Sequence, residues 1–75
     1  MSIMCFVIQA NDGGRLGWIT AANHRGFHSL GGRAEAAIFW SREEARVVIE
    51  KLPEAFVRAG IRFSIERAEK SSCEN

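Results

Sequence analysis

The sequence lacks most of the features that mark a specialised class of protein. Its 75 residues include one proline, two cysteines and no tyrosine, and ten basic residues against nine acidic residues leave a net charge of +1. This balance excludes, for the chain as a whole, a polybasic nucleic-acid-binding arm and a strongly acidic DNA mimic. An apolar share of 47% excludes a disordered chain, and two cysteines are too few for a disulfide-stapled mini-protein. The composition therefore predicts one small globular domain.

Long hydrophobic runs are also missing. No segment approaches the roughly 18 apolar residues that a membrane-spanning helix needs. The run IMCFVI at residues 3–8 has no basic residue before it, so no signal peptide is expected. Cys5 lies in this run and Cys73 in the polar C-terminal segment, without C-x-x-C spacing. We therefore expect reduced thiols and a cytoplasmic protein, with a Cys5–Cys73 bridge as the alternative.

The N-terminal part of the sequence predicts a β-hairpin. Residues 3–10 form a β-rich run without a helical polar face, and residues 15–21 alternate in a strand-like way. Between them, Asn11-Asp12-Gly13-Gly14 supplies residues that accept a positive φ, which favours a tight turn. The alternation places Leu16, Trp18 and Thr20 on one face of the second strand.

A third strand and a helix are expected next. Residues 36–40, AAIFW, predict the strand, and Ser41 with Glu44 forms a capping-box pattern at the start of the helix. Pro53 interrupts the helix, which predicts a kink or two abutting helical segments. The exposed side should carry the ion pairs Arg46–Glu50 and Glu54–Arg58. One apolar stripe continues across the proline, comprising Ala45, Val48, Ile49, Leu52, Ala55, Phe56 and Ala59.

A final strand completes the predicted fold. Gly60 suits a helix C-terminus, and residues 61–67 alternate between apolar and polar side chains. We predict a single α+β domain over residues 1–68, followed by a flexible polar tail over residues 69–75. Its architecture is a small antiparallel sheet of three to four strands with one helix packed on one face, in the order β-β-β-α-β.

The residues needed for catalysis are not apparent. The sequence shows no phosphate-binding glycine motif between a strand and a helix, no HExxH motif and no pairing of a nucleophile with a base. His24 and His28 are four residues apart but lack a third ligand nearby, which favours two loop histidines over a metal site. We therefore expect no catalytic residue, no metal and no cofactor, and predict that the protein is not an enzyme.

The segment over residues 13–33 is where we expect a binding surface. It holds six of the seven glycines and no acidic residue. Arginine with aromatic side chains on loops is typical of a contact surface, but the aromatic residues could equally belong to the core and the arginines to the solvated surface. On the binding interpretation, the candidate contact residues are Arg15, Trp18, His24, Arg25, Phe27, His28 and Arg33.

Residues 36–45, AAIFWSREEA, resemble a pattern of small phage and prophage proteins of the anti-CRISPR type. The hairpin FVIQANDGGRLGWIT and the closing strand IRFSIERA are similar in order to the same group. The resemblance implies a protein that blocks a host CRISPR defence complex by direct contact. It assigns no functional residue to a numbered position of this chain.

Three kinds of partner follow from these patterns. The first is a host protein complex bound by the basic, turn-rich segment. The alternative is RNA or DNA, whose phosphates the same arginines would contact, although a net charge of +1 argues against it. The third is a second copy of the chain, because a small open sheet leaves edges that invite pairing.

Overall fold

Four antiparallel strands form one sheet in the order β3-β2-β1-β4. The structure, a computed structural model, describes residues 2–71. The strands are β1 (Ser2–Asp12), β2 (Arg15–Ile19), β3 (Leu30–Gly31) and β4 (Arg62–Ser71). A 3-10 turn (Arg33–Glu35) follows β3, and helices α1 (Arg42–Glu50) and α2 (Glu54–Arg58) precede β4. The predicted fold class, a small α+β domain with an antiparallel sheet and one main helix, is confirmed.

The β1–β2 hairpin closes on two glycines, as predicted. Gly13 and Gly14 have φ values of 62° and 100°, which side-chain-bearing residues rarely adopt. The Gly14 amide also donates to Oδ1 of Asn11 over 2.8 Å. Asp12 and Arg15 are the last paired residues, which fixes the register of the hairpin.

Strands β1 and β4 pair along a longer stretch than the sequence predicts. Their register runs from Ser2 opposite Ser71 to Asn11 opposite Arg62. Residues 69–71, which the sequence analysis assigns to the polar tail, continue the strand by pairing with β1. The remainder of the predicted tail, residues 72–75, and with it Cys73, lies outside the described residues.

The third strand lies elsewhere than predicted. Leu30–Gly31 pairs with the outer edge of β2, whereas residues 36–40 make only two isolated bridges, Thr20 with Ala36 and Phe6 with Phe39. Phe6 and Phe39 exchange two backbone hydrogen bonds of 2.8 and 2.9 Å. Because β2 pairs with β1 only at residues 9–12, this segment joins β1 at Phe6, on the edge that β2 leaves open.

Helix α1 begins as the sequence predicts. Oγ of Ser41 accepts a hydrogen bond from the Glu44 amide over 3.1 Å, while the Glu44 carboxylate accepts from the Trp40 amide over 2.8 Å. The helix ends before Pro53, and α2 begins directly after it, so the expectation of two abutting segments is confirmed. The prediction for Arg46 is wrong, because its guanidinium contacts Glu43 at 2.9 Å instead of Glu50.

The core lies between the sheet and α1. Ile8, Ile19 and Ala45 are completely buried at its centre. The residues packed around them are Phe39, Val48, Ile49, Leu52, Phe63 and Ile65. At the start of α1 the Arg42 guanidinium lies 5.1 Å from the centroid of the Phe6 ring, which fixes the helix to β1.

The other face of the sheet is also partly covered. Cys5 and Val7 alternate with Ile8 along β1, so they point away from the helix, yet both are buried. The 3-10 turn packs on this face, because a Cβ on Gly31 would lie 3.0 Å from Oε2 of Glu35. The connection between β2 and α1 therefore forms a thin second layer.

Within residues 2–71, no helix has the length and apolar character needed to cross a membrane.

Candidate functional site

The β2–β3 connection forms a loop, residues 21–29, which we call the tip loop. Its base is held by the hydrogen bond from the Thr20 amide to the Ser29 carbonyl oxygen, at 2.9 Å. The Ser29 amide in turn donates to Oγ1 of Thr20 at 3.1 Å. These bonds fix both ends of the loop to the sheet. The loop itself lies beyond Ile19, the last residue of β2.

Asn23 organises the apex of the tip loop. Its side-chain Oδ1 accepts hydrogen bonds from the amides of Arg25 and Phe27 over 2.8 and 3.0 Å. Its own backbone amide donates to the Phe27 carbonyl oxygen, and its carbonyl oxygen accepts from Gly26, both at 2.9 Å. Gly26 has a φ of 83°, so the apex has the backbone conformation that asparagine and glycine favour in tight turns.

This apex presents an aromatic ring between basic side chains. Phe27 is 61% exposed, and His24 and Arg25 are exposed beside it. His28 is half-buried, and its Nδ1 lies 2.8 Å from the Thr20 carbonyl oxygen. Since a carbonyl oxygen only accepts, this nitrogen carries the proton and donates, which makes His28 a support of the loop.

The other predicted contact residues do not join this cluster. Arg15 follows the Gly13–Gly14 turn at the far end of β2, so the length of the strand separates it from the tip loop. Trp18 is half-buried on the sheet, opposite Gln9 and Gly31. Arg33 is exposed in the 3-10 turn beyond β3. The seven residues therefore do not form one face, and only His24, Arg25 and Phe27 are presented together.

The sequence did not predict a second exposed apolar region beside α1. A shallow groove of about 470 Å³ runs along the helix, lined by Phe39, Ser41, Glu43, Glu44, Val47 and Val48. Trp40, next to this lining, is 56% exposed, and Val47 is 41% exposed. The signal that could have indicated the groove is Val47, which lies outside the buried stripe of an otherwise amphipathic helix.

Glu43, which lines this groove, forms an ion pair with Arg46. The hydrogen bond that Arg46 donates to the Glu43 carboxylate, together with the negative charge of that carboxylate, raises the pKa of Arg46 above its usual value. Both side chains are largely exposed, so the pair contributes little to stability. Glu43 is thus paired with Arg46, whereas Glu44 is used by the helix cap.

The comparisons with known proteins do not assign this chain to a family. Comparison finds no matching family model, no matching curated sequence and no matching solved structure. In the described range, 2–71, no three side chains of His, Cys, Asp or Glu come together as a metal site would require.

Proposed function

We propose that the protein is a non-catalytic protein-binding module that contacts its partner through the tip loop. The observation that carries this proposal is the 61% exposure of Phe27 at the apex of a hydrogen-bonded loop. Exposed phenyl rings are costly in water, and aromatic residues with arginine are enriched in protein interfaces.

The hydrogen bonds of the loop support this role. Asn23 fixes the backbone at Arg25 and Phe27 before any partner binds. A loop that is ordered beforehand loses less conformational entropy on binding, so more of the contact energy appears as affinity. The partner surface that fits is a pocket large enough for a phenyl ring beside carboxylates that pair with Arg25.

A narrower form of the proposal names the partner. The resemblance of residues 36–45 to small phage proteins of the anti-CRISPR type supports a host CRISPR complex as the target, blocked by direct contact. The same proposal places the protein in the reducing cytoplasm. Cys5 supports that location, because within residues 2–71 it is a buried thiol without a disulfide bond, and its Sγ lies 3.6 Å from the Ala68 carbonyl oxygen.

Affinity capture from host-cell lysate with matched variants tests the proposal. We expect the wild-type chain to retain a protein complex whose affinity falls by about tenfold or more in Phe27→Ala and in Arg25→Glu, because hot-spot residues typically contribute this much. Val57→Ala and Lys51→Glu are the controls, since they make similar changes at exposed positions on the helical side. Equal binding by all four variants would contradict a role for the tip loop.

The same experiment distinguishes a nucleic-acid partner. His24 and Arg25 could contact phosphates, and Phe27 could stack on a base. In that case the retained material would be RNA or DNA, and its affinity would fall steeply with salt, with a log–log slope of about −0.9 for each contact to duplex DNA. Nuclease-sensitive retention of this kind would replace the protein-binding proposal.

A further inference from the structure

Strand β4 forms a long edge of the sheet. It pairs with β1 on one side over its whole length, Arg62–Ser71. Within the described residues, no backbone hydrogen bond joins its other side to another segment. Unpaired edge strands of this length are ready templates for another strand.

The backbone groups that point outward from this edge can be identified. Phe6 exchanges both of its backbone hydrogen bonds with Phe39, so its N–H and C=O point away from β4. In an antiparallel ladder the residue opposite it, Arg67, must then also point its N–H and C=O away from β1. Because these directions alternate, Phe63 and Ile65 also present theirs at the open edge.

The sequence of β4 is complementary to itself in the antiparallel register centred on Ser64. With Ser64 opposite Ser64 of a second copy, each Arg62 lies opposite Glu66, and each Phe63 lies opposite Ile65. Opposite charges and apolar pairs at facing positions both stabilise a sheet. A register centred on Glu66 would instead place two Glu66 carboxylates face to face, which is unfavourable.

The backbone fits the same register. Phe63 and Ile65 would form hydrogen-bonded pairs across the edge, because their N–H and C=O groups already point outward. Both side chains belong to the layer packed on the core, so the apolar layer under the helix would continue from one copy into the next. Arg62, Ser64 and Glu66 lie on the opposite, exposed face.

We propose that two copies of this chain pair through the outer edges of β4 to form a continuous eight-stranded sheet with Ser64 at the two-fold axis. The other edges do not offer this surface. β3 has only two residues, and the side chain of Glu35 lies over Gly31 beside it. On the part of β1 that β2 leaves unpaired, Phe39 already takes both outward backbone hydrogen bonds of Phe6.

Light scattering across micromolar to millimolar concentrations tests the association. We expect the mass to rise with concentration to twice the 8.4 kDa of one chain. A mass that stays at one chain throughout this range would overturn the proposal.

Disulfide trapping tests the register. Ser64 of the two copies would be a non-hydrogen-bonded pair with Cα atoms about 4.5 Å apart, which is within the range of a disulfide. In a Cys73→Ser background, Ser64→Cys should therefore form a covalent dimer on mild oxidation, whereas Ser29→Cys in the tip loop should not. Similar cross-linking at both positions, or efficient cross-linking by Ala68→Cys instead of Ser64→Cys, would overturn the register.

A charge exchange gives a second, independent test. Arg62→Glu and Glu66→Arg each turn two attractive cross-strand pairs into repulsive ones, so each should raise the dimer dissociation constant on the order of tenfold. The double variant Arg62→Glu/Glu66→Arg restores opposite charges and should recover the wild-type constant. Both residues are exposed, so the variants should keep the far-UV circular dichroism of the monomer. Additive weakening in the double variant would contradict the pairing.

Discussion

Among the glycines, Gly31 has the least room for a side chain. A Cβ at this position would lie 2.9 Å from Cγ2 of Thr20 and 3.0 Å from Oε2 of Glu35. We expect Gly31→Ala to lower the free energy of unfolding by about 1–3 kcal/mol, because these neighbours must shift. Gly32→Ala is the matched control, since its nearest contact is at 3.7 Å. Equal losses in urea unfolding of the two variants would contradict this explanation.

Single-residue environments were only partly predictable from the sequence. Alternation correctly placed Trp18 and Ile19 on opposite faces of β2, but it could not show that Ile19 is the residue that is completely buried. The reason is that strand periodicity defines two faces without stating which face meets the helix. For the candidate site, the exposure of Phe27 and the separation of Arg15 from it depend on the path of the β2–β3 connection, which no local pattern contains.

Helix α1 depends on its N-terminal cap. Ser41→Ala removes the acceptor of the Glu44 amide and should lower the free energy of unfolding by about 1 kcal/mol. Ser41→Asp keeps an acceptor at the same position and should retain most of the stability, because a carboxylate also interacts favourably with the helix dipole. Urea unfolding followed by circular dichroism measures both, and an aspartate variant as unstable as the alanine variant would contradict the capping role.

The elements that the sequence predicted well are those defined by neighbouring residues. The Gly13–Gly14 turn, the Ser41 cap and the interruption at Pro53 each follow from backbone chemistry within four residues. The third strand was misplaced because its position depends on competition between distant segments. The apolar run at residues 36–40 has strand character, but Leu30–Gly31 occupies the edge of β2, leaving that run to close β1 at Phe39.

At the scale of the whole molecule, the fold pairs the first strand, β1, with the last strand, β4. β1 lies inside the sheet and pairs with β4 through ten residue pairs, which connect residues 2–11 with residues 62–71. β4 also contributes Phe63 and Ile65 to the layer around Ile8 and Ile19. The hairpin and α1 thus lack the apolar contacts of Phe63 and Ile65 until the C-terminal strand is in place.

A chain that ends at residue 60 should therefore not fold cooperatively. Without β4, the internal strand β1 loses its longest partner, and what remains is the β1–β2 hairpin with the two-residue strand β3 and two short helices, which is marginal in water. Far-UV circular dichroism during heating should show a sigmoidal transition for the full chain and only a gradual change for fragment 1–60. A cooperative transition in the fragment would mean that the hairpin and α1 already bury a sufficient core, and that β4 is an addition to a domain that is stable without it.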